Sequence, residues 1–149
     1  MKLSTKGRYG IRALVDIAVF AGSEHISLYS IADRQDISEN YLEQVFSALR
    51  KAGIVKSVKG AQGGYVLADK PQSMTIGRIL RVLEGDLSII EEDLETAKLE
   101  DNSISHLIKV NVWDKMTDNL NQLLDSITLE DLADDYRRKN GMLAAMYYI

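Results

Sequence analysis

Cysteine is missing from this chain of 149 residues, and proline appears once. A chain without thiols forms no disulfide, offers no thiolate nucleophile or thiol redox sensor, and cannot build an all-cysteine metal site. The sequence also lacks low-complexity tracts, and 46% of its residues are hydrophobic. This composition predicts one packed domain, or a small domain that carries an accessory segment.

Long apolar runs are absent as well. No run approaches the roughly 18 residues that a membrane span needs, and no apolar core of a signal peptide follows the basic N-terminus. We therefore expect a cytoplasmic protein. We also expect no enzymatic activity, because no nucleophile and base pair and no metal-ligand constellation stands out in the sequence.

Positive charge is scarce overall but unevenly distributed. Residues 1–70 hold ten Lys or Arg against seven Asp or Glu, whereas residues 71–149 hold eight against fifteen. An acidic protein can still bind nucleic acid if its cations converge on one face. The asymmetry predicts two segments, a DNA-binding one at 1–70 and a helical dimerisation or regulatory one at 71–149.

Two short helical patterns joined by a tight turn lie between Ser27 and Lys51. Ser27 is a cap for a helix to about Gln35, the turn is Asp36-Ile37-Ser38, and the second helix begins at Glu39. Its Leu42, Val45, Phe46 and Leu49 follow the spacing of a buried face. This order predicts a helix-turn-helix.

The opposite face of that second helix carries short polar and amide side chains of the kind that contact base edges in a major groove. An ordinary exposed helix is the alternative, since Asn, Gln and Ser also occur there. Glu43 is ambiguous, because phosphate repels a carboxylate unless it accepts from cytosine or holds a basic neighbour. The candidate residues here are Ser38, Asn40, Tyr41, Glu43, Gln44, Ser47, Arg50 and Lys51.

A hairpin follows directly. Residues Ile54 to Lys59 alternate as a half-buried strand does, and Tyr65-Val66-Leu67 is a second strand. The glycines of the tip at 60–64 allow positive φ and close approach to a ligand, and their spacing matches no nucleotide-binding loop. We predict a wing that enters a minor groove, with Lys56, Lys59, Gln62 and Gly63 as contacts.

The basic N-terminus precedes a helix that Ser4 or Thr5 caps. Cations and free backbone N–H groups at such a start could hold a phosphate, and the alternative is a set of solvated charges. The candidate contacts are Lys2, Lys6, Arg8 and Tyr9, with Arg12 nearby.

The second segment begins with a helix that Thr75 caps and Gly85 stops, followed by an acidic loop at 86–103. That loop has no EF-hand spacing, so we interpret it as a solvated loop and not as a cation site. A long helix then carries an apolar stripe. We predict that a second copy covers this stripe, with an intramolecular bundle as the alternative. The stripe comprises Ile104, Ile108, Trp113, Met116, Leu120, Leu123, Leu124 and Ile127.

The fold class that these patterns predict is mainly α with a small β-hairpin wing, that is, a winged helix-turn-helix with a long C-terminal dimerisation helix. The segments Lys6-Gly7-Arg8-Tyr9-Gly10, Ser38 to Gln44, Leu49 to Val55 and Gly60 to Leu67 resemble the Rrf-two family of bacterial winged-helix regulators. The resemblance implies a homodimeric transcriptional regulator that binds double-stranded DNA, with the helix of 39–51 in the major groove and the wing at the minor groove.

The same resemblance implies a site where iron–sulfur members of the family bind a cluster through three cysteines. This chain has none, so we expect no cofactor and no metal, and His106 is displaced from the position of the family's cluster histidine. The tail Asp125 to Ala133 and the terminal Tyr147-Tyr148-Ile149 are most similar to members that repress cysteine and sulfur-source genes. That similarity implies a cysteine-biosynthetic enzyme as a co-regulator.

The sequence thus predicts a repressor that binds a palindromic operator as a homodimer. The alternative is a winged helix that serves only as a protein-interaction module and does not bind DNA. Basic residues at both the first helix and the wing favour DNA, because a protein dock does not require them.

Overall fold

The structure is a computed structural model that describes residues 2–22, 24–90 and 102–142. Three helices form its first part: α1 (Thr5–Phe20), α2 (Leu28–Gln35) and α3 (Glu39–Lys51). Each begins at a serine whose hydroxyl accepts a backbone N–H two or three positions into the helix, Ser4 in α1, Ser27 in α2 and Ser38 in α3. The predicted helix-turn-helix is confirmed.

The hairpin consists of β1 (Val55–Val58) and β2 (Gly64–Leu67), which pair antiparallel with Val55 opposite Leu67. Ile26, just before α2, adds an isolated bridge to this hairpin. Its N–H donates to the carbonyl of Tyr65 at 3.0 Å, and its carbonyl accepts from the N–H of Tyr65 at 2.8 Å. The wing is therefore hydrogen-bonded to the chain that enters the helix-turn-helix.

A 3-10 turn (Pro71–Ser73) leads into α4 (Ile76–Glu84), which Thr75 caps as expected. α4 packs closely against α1 because two glycines of α1 face it. A Cβ added at Gly7 would lie 2.2 Å from a carboxylate oxygen of Glu84, and one at Gly10 would lie 2.4 Å from a methyl of Leu83. A side chain at either position would displace that carboxylate or that methyl from its place between the two helices.

One hydrophobic core unites the two segments. Leu14 and Ile17 of α1, Phe46 of α3 and Leu80 of α4 are nearly or fully buried in it, and Leu129 closes it from the far end of the chain. The core therefore contains residues from both 1–70 and 71–149. That the first segment binds DNA and the second dimerises or regulates stays a prediction.

The long predicted helix has a break in its geometry. It runs as α5 (Ile104–Ile108), a π-helical turn (Lys109–Trp113) and α6 (Asp114–Asp125). Ile127 lies beyond the end of α6, and both Leu124 and Ile127 pack against the core of their own chain. These two residues are better explained by intramolecular packing than by the dimer surface to which the stripe assigned them.

The last helix, α7 (Leu129–Lys139), begins with a capping box in which Thr128 and Asp131 exchange side-chain to backbone hydrogen bonds. Much of the acidic run, from Glu91 to Asp101, lies outside the described residues, as does the apolar end from 143 to 149. Among the helices of the described ranges, none is long and apolar enough to cross a membrane.

Candidate nucleic-acid interface

The outer face of α3 is the centre of the candidate interface. Its inner residues Leu42, Val45, Phe46 and Leu49 are at most 1% exposed, which fixes the rotation of the helix about its axis. The side chains predicted to contact base edges then point away from the core. Asn40, Glu43, Gln44, Arg50 and Lys51 are exposed, and Ser47 is half-buried.

Two of the predicted DNA contacts, Ser38 and Tyr41, also stabilise the fold. The hydroxyl of Ser38 accepts from the N–H of Tyr41 at 3.3 Å and so caps the helix. The ring of Tyr41 meets that of Tyr9 edge-on, with centroids 6.0 Å apart, and the Arg12 guanidinium lies 5.1 Å from the centre of the Tyr9 ring. These contacts hold the start of α1 beside the start of α3, so the two predicted binding segments form one surface.

The wing is held to the same helix. Tyr65 of β2 packs on Phe46 of α3 with ring centroids 4.9 Å apart. Lys56, Lys59 and Gln62 are exposed on the hairpin, as a surface that meets DNA requires. The ring Nε2 of His25 is hydrogen-bonded to the backbone carbonyl of Gln62, which ties the tip back to the loop between α1 and α2.

The glycines of the tip do not all have the role that the sequence suggested. Of the three, Gly60 alone has a positive φ, at 123°. Gly63 and Gly64 are needed because backbone passes too close for a Cβ. At Gly63 a Cβ would lie 2.3 Å from the carbonyl oxygen of Val58, and at Gly64 it would lie 2.2 Å from that of Ile26. Gly63, a predicted DNA contact, is half-buried and shapes the turn.

A cleft of about 580 Å³ separates α3 from the wing. Glu39 and Glu43 line its helix side and Lys59 its wing side, and Tyr29 of α2 also lines it. Tyr29 is 67% exposed, which is unusual for so large a ring. Tyr29 was not predicted from the sequence, since the helical spacing in α2 marks only the inward face.

The start of α1 differs from expectation. The carboxylate of Glu84 accepts from the backbone N–H groups of Ser4 and Gly7, both at 3.1 Å, and from the Ser4 hydroxyl. A carboxylate therefore already occupies the positive end of this helix, and the N–H groups of Ser4 and Gly7 are not free to hold a phosphate. The cations nearby remain available: Lys2 and Arg8 are exposed, and Lys6 is half-buried.

A buried ion pair positions the helix-turn-helix on α1. Asp16 is 2% exposed and accepts from two nitrogens of Arg34, at 2.7 and 2.9 Å, and from the amide of Gln35 at 2.9 Å. The hydrogen bond to Asp16 raises the pKa of Arg34, whose guanidinium also lies 4.7 Å from the centre of the Phe20 ring. α2 is thereby fixed to α1 through its C-terminal end.

Comparison with known proteins agrees with this geometry. Residues 3–135 match the model of the Rrf2 family, described as an iron-dependent transcriptional regulator. The chain belongs to the Rrf2 family. It is 48% identical over 135 residues to the HTH-type transcriptional regulator CymR of Bacillus subtilis (strain 168), an alignment that covers 89% of this chain and 90% of that protein.

Solved structures support the same assignment. The structure described as the global cysteine regulator CymR (YrzC) of B. subtilis superposes with a TM-score of 0.76 and 45% identity, covering 90% of this chain and 97% of that one. IscR of T. potens gives a TM-score of 0.71 at 45% identity and covers 93% and 90%. This Rrf2 protein is therefore a winged-helix, DNA-binding transcriptional regulator and not an enzyme.

The family's description names iron. A cluster held by cysteine thiolates does not fit a sequence with no cysteine. Within 2–22, 24–90 and 102–142, no three His, Asp or Glu side chains come together in a way that could hold a metal ion.

Proposed function

We propose that this protein is a repressor that binds a palindromic operator as a homodimer. The observation that carries the proposal is the convergence of three elements on one surface: the polar outer face of α3, the exposed lysines of the wing, and the basic start of α1. The helix supplies groups that can distinguish bases, and the cations supply attraction to phosphates. Two such surfaces in a dimer would face two half-sites related by the same two-fold symmetry.

The genes controlled are, in this proposal, those of cysteine and sulfur metabolism. The support is the 48% identity to CymR and the resemblance of fold to a protein described as a global cysteine regulator. A cysteine-biosynthetic enzyme is the proposed co-regulator. The protein would work in the cytoplasm without an iron–sulfur cluster, because its sequence offers no thiolate ligand.

Operator selection from a random duplex pool, followed by titration with salt, tests the DNA-binding part of the proposal. We expect an enriched palindrome and an affinity that falls steeply as salt rises, because cations that contact phosphates release counterions. Lys59→Ala, on the wing, should lower the salt slope by about one. The matched control is Lys115→Ala, an exposed lysine on α6, which should leave the slope unchanged.

The opposite outcome is equally clear. A pool that yields no preferred sequence, with no salt-dependent binding, would favour the protein-interaction module. Repression is tested separately, by transcription from a promoter that carries the selected site with and without the protein. A rise in transcript on addition of the protein would contradict the repressor role and leave DNA binding intact.

A further inference from the structure

The helical stretch from 104 to 123 exposes an unusual amount of apolar surface. Eight of its large side chains are between 37% and 78% exposed. If each has about 200 Å² to expose, they present on the order of 800 Å² together, which exceeds the patch of a typical monomer and equals one side of a standard interface. The eight are Ile104, Leu107, Ile108, Val110, Val112, Trp113, Met116 and Leu123.

Four of them, Ile104, Ile108, Met116 and Leu123, form the row considered below, and they would not share one face of a regular α-helix. Rotation is about 100° per residue, so Leu123, which follows Ile104 by 19 positions, would be turned about 100° away from it. The irregularity lies in one interval, since five residues separate Ile108 from Trp113 where three or four are the rule.

The π-helical turn removes this offset. Within it the N–H of Asp114 donates to the carbonyl of Lys109, five residues back, and so one extra residue enters the turn. A turn of this kind holds about 4.4 residues, which sets the downstream helix back by about 90°. Ile104, Ile108, Met116 and Leu123 then lie within about 40° of each other around the helix axis.

Contacts on the other side of α6 agree with that orientation. Thr117 and Asn121 point toward α4 and its extension: the Thr117 hydroxyl accepts from the N–H of Ile89 at 3.2 Å, and Asn121 donates to the carbonyl of Leu87 at 2.8 Å. Asp125, one turn on, pairs with Arg81 of α4 at 2.8 Å. The aligned apolar row therefore faces away from its own domain.

We infer that the π-helical turn is a register device, which aligns the apolar sides of α5 and α6 into one straight row that a second copy of this chain covers. The inference rests on the homodimer of the proposed function and adds how its surface is built. Without the turn, α5 would present its isoleucines in a different direction from α6.

A second copy is the occupant that the row itself indicates. The row carries no charged side chain, because Lys109, Asp114, Lys115 and Asp118 lie on other sides of the helix. It is about 30 Å long and forms part of the exposed apolar surface, on the order of 800 Å², of residues 104–123. A narrow, uncharged helical row fits the same row of an identical helix across a two-fold axis.

Two deletions test whether the dimer requires the alignment of the apolar row or the π-helical turn itself. Deletion of Asn111 removes the extra residue and leaves an α-helix in which 18 residues separate Ile104 from Leu123, so the row stays aligned and the dimer should persist. Deletion of both Val110 and Asn111 turns α5 by about 100° and should weaken dimerisation at least about tenfold. Only α5 moves, and its large apolar side chains are exposed, so the fold should survive both changes.

A matched pair of substitutions gives an independent reading. Ile108 and Val110 are 40% and 42% exposed, but the turn places Val110 about 160° around the axis from Ile108. Ile108→Asp should weaken the dimer and Val110→Asp should not, as measured by sedimentation equilibrium, with circular dichroism as the check on folding.

The outcomes distinguish the two proposals. A monomeric unmodified protein would overturn the homodimer itself, and the register device with it. A dimer that tolerates the double deletion, or that loses as much to Val110→Asp as to Ile108→Asp, would overturn the register device alone. Loss of the dimer on deletion of Asn111 would also contradict it, because alignment is kept in that variant.

Discussion

At the scale of single residues, Gln44 is the side chain on which base readout depends most directly. It is exposed in the middle of the outer face of α3, and its amide can donate and accept at the edge of an adenine. We expect Gln44→Ala to cost about 1–3 kcal/mol of binding to the operator and much less on non-specific DNA. Competition assays on both duplexes measure this difference, and equal losses would remove Gln44 from readout.

Asp16 should be the most sensitive charged residue for stability. Its side chain is fully buried and holds Arg34 and Gln35, so Asp16→Ala leaves a guanidinium without its partner. The side chain of Arg34 is one-third exposed, which tempers the loss, and we expect about 3 kcal/mol of unfolding free energy. Asp135→Ala, which breaks surface pairs on α7, should cost at most about 0.5 kcal/mol in the same urea titration.

The sequence predicted residues whose role depends on near neighbours. Leu42, Val45, Phe46 and Leu49 follow from spacing alone, and all four are buried. Glu84 at the start of α1 could not be predicted, since 77 residues separate it from Gly7 and the pairing depends on how α4 packs. Asp16 was missed for the same reason.

At the scale of elements, the wing depends on the close passage of two backbones. Gly64→Ala would place a methyl 2.2 Å from the carbonyl oxygen of Ile26, so the bridge from Ile26 to Tyr65 should break. We expect a loss of about 1–3 kcal/mol in stability and weaker operator binding. Ala61→Ser, at the exposed tip, is the control that should preserve both.

The link between α4 and α6 gives a pH dependence with a defined sign. The hydrogen bond from Arg81 lowers the pKa of Asp125, so this pair stabilises the folded state above the ordinary value of 3.8 and loses its effect as the pH falls through the folded pKa. The unmodified protein should have a higher urea midpoint than Asp125→Asn at pH 7. This difference should become smaller as the pH falls below 3.8. A gap that did not vary with pH would mean that the ion pair adds nothing.

Helix starts were predictable, whereas the interior of the long helix was not. Ser4, Ser27, Ser38, Thr75 and Thr128 all cap helices in the structure, because capping is a local interaction that three or four residues specify. The π-helical turn at 109–113 left one trace in the sequence, an interval of five in a row otherwise spaced by three and four. A single interval of five hardly changes the average spacing of the stripe, so the average spacing did not predict the π-helical turn.

At the scale of the whole molecule, the DNA affinity of an acidic protein depends on where its positively charged side chains lie. Lys6, Arg8, Lys56 and Lys59 belong to the two elements that flank α3. Removing any one should weaken binding similarly on all sequences and lower the salt slope by about one. If all four slopes stayed unchanged, the docking face would have to lie elsewhere on the molecule.

Dimerisation should govern operator affinity through the linkage of two modules. Met116 is 45% exposed in the middle of the apolar row, so Met116→Asp places a charge in the proposed dimer surface without disturbing the core. Leu120 is half-buried and suits this test less well. We expect this variant to bind a single half-site as the unmodified protein does, and to lose on the order of 100-fold or more on the full palindrome, because the second contact is no longer intramolecular. Gln122→Asp adds the same charge to an exposed position off the row and should retain the full affinity. Titration of both duplexes decides the matter: equal losses on the half-site and the palindrome would show that Met116→Asp damages the DNA-binding surface and not the linkage between its two copies.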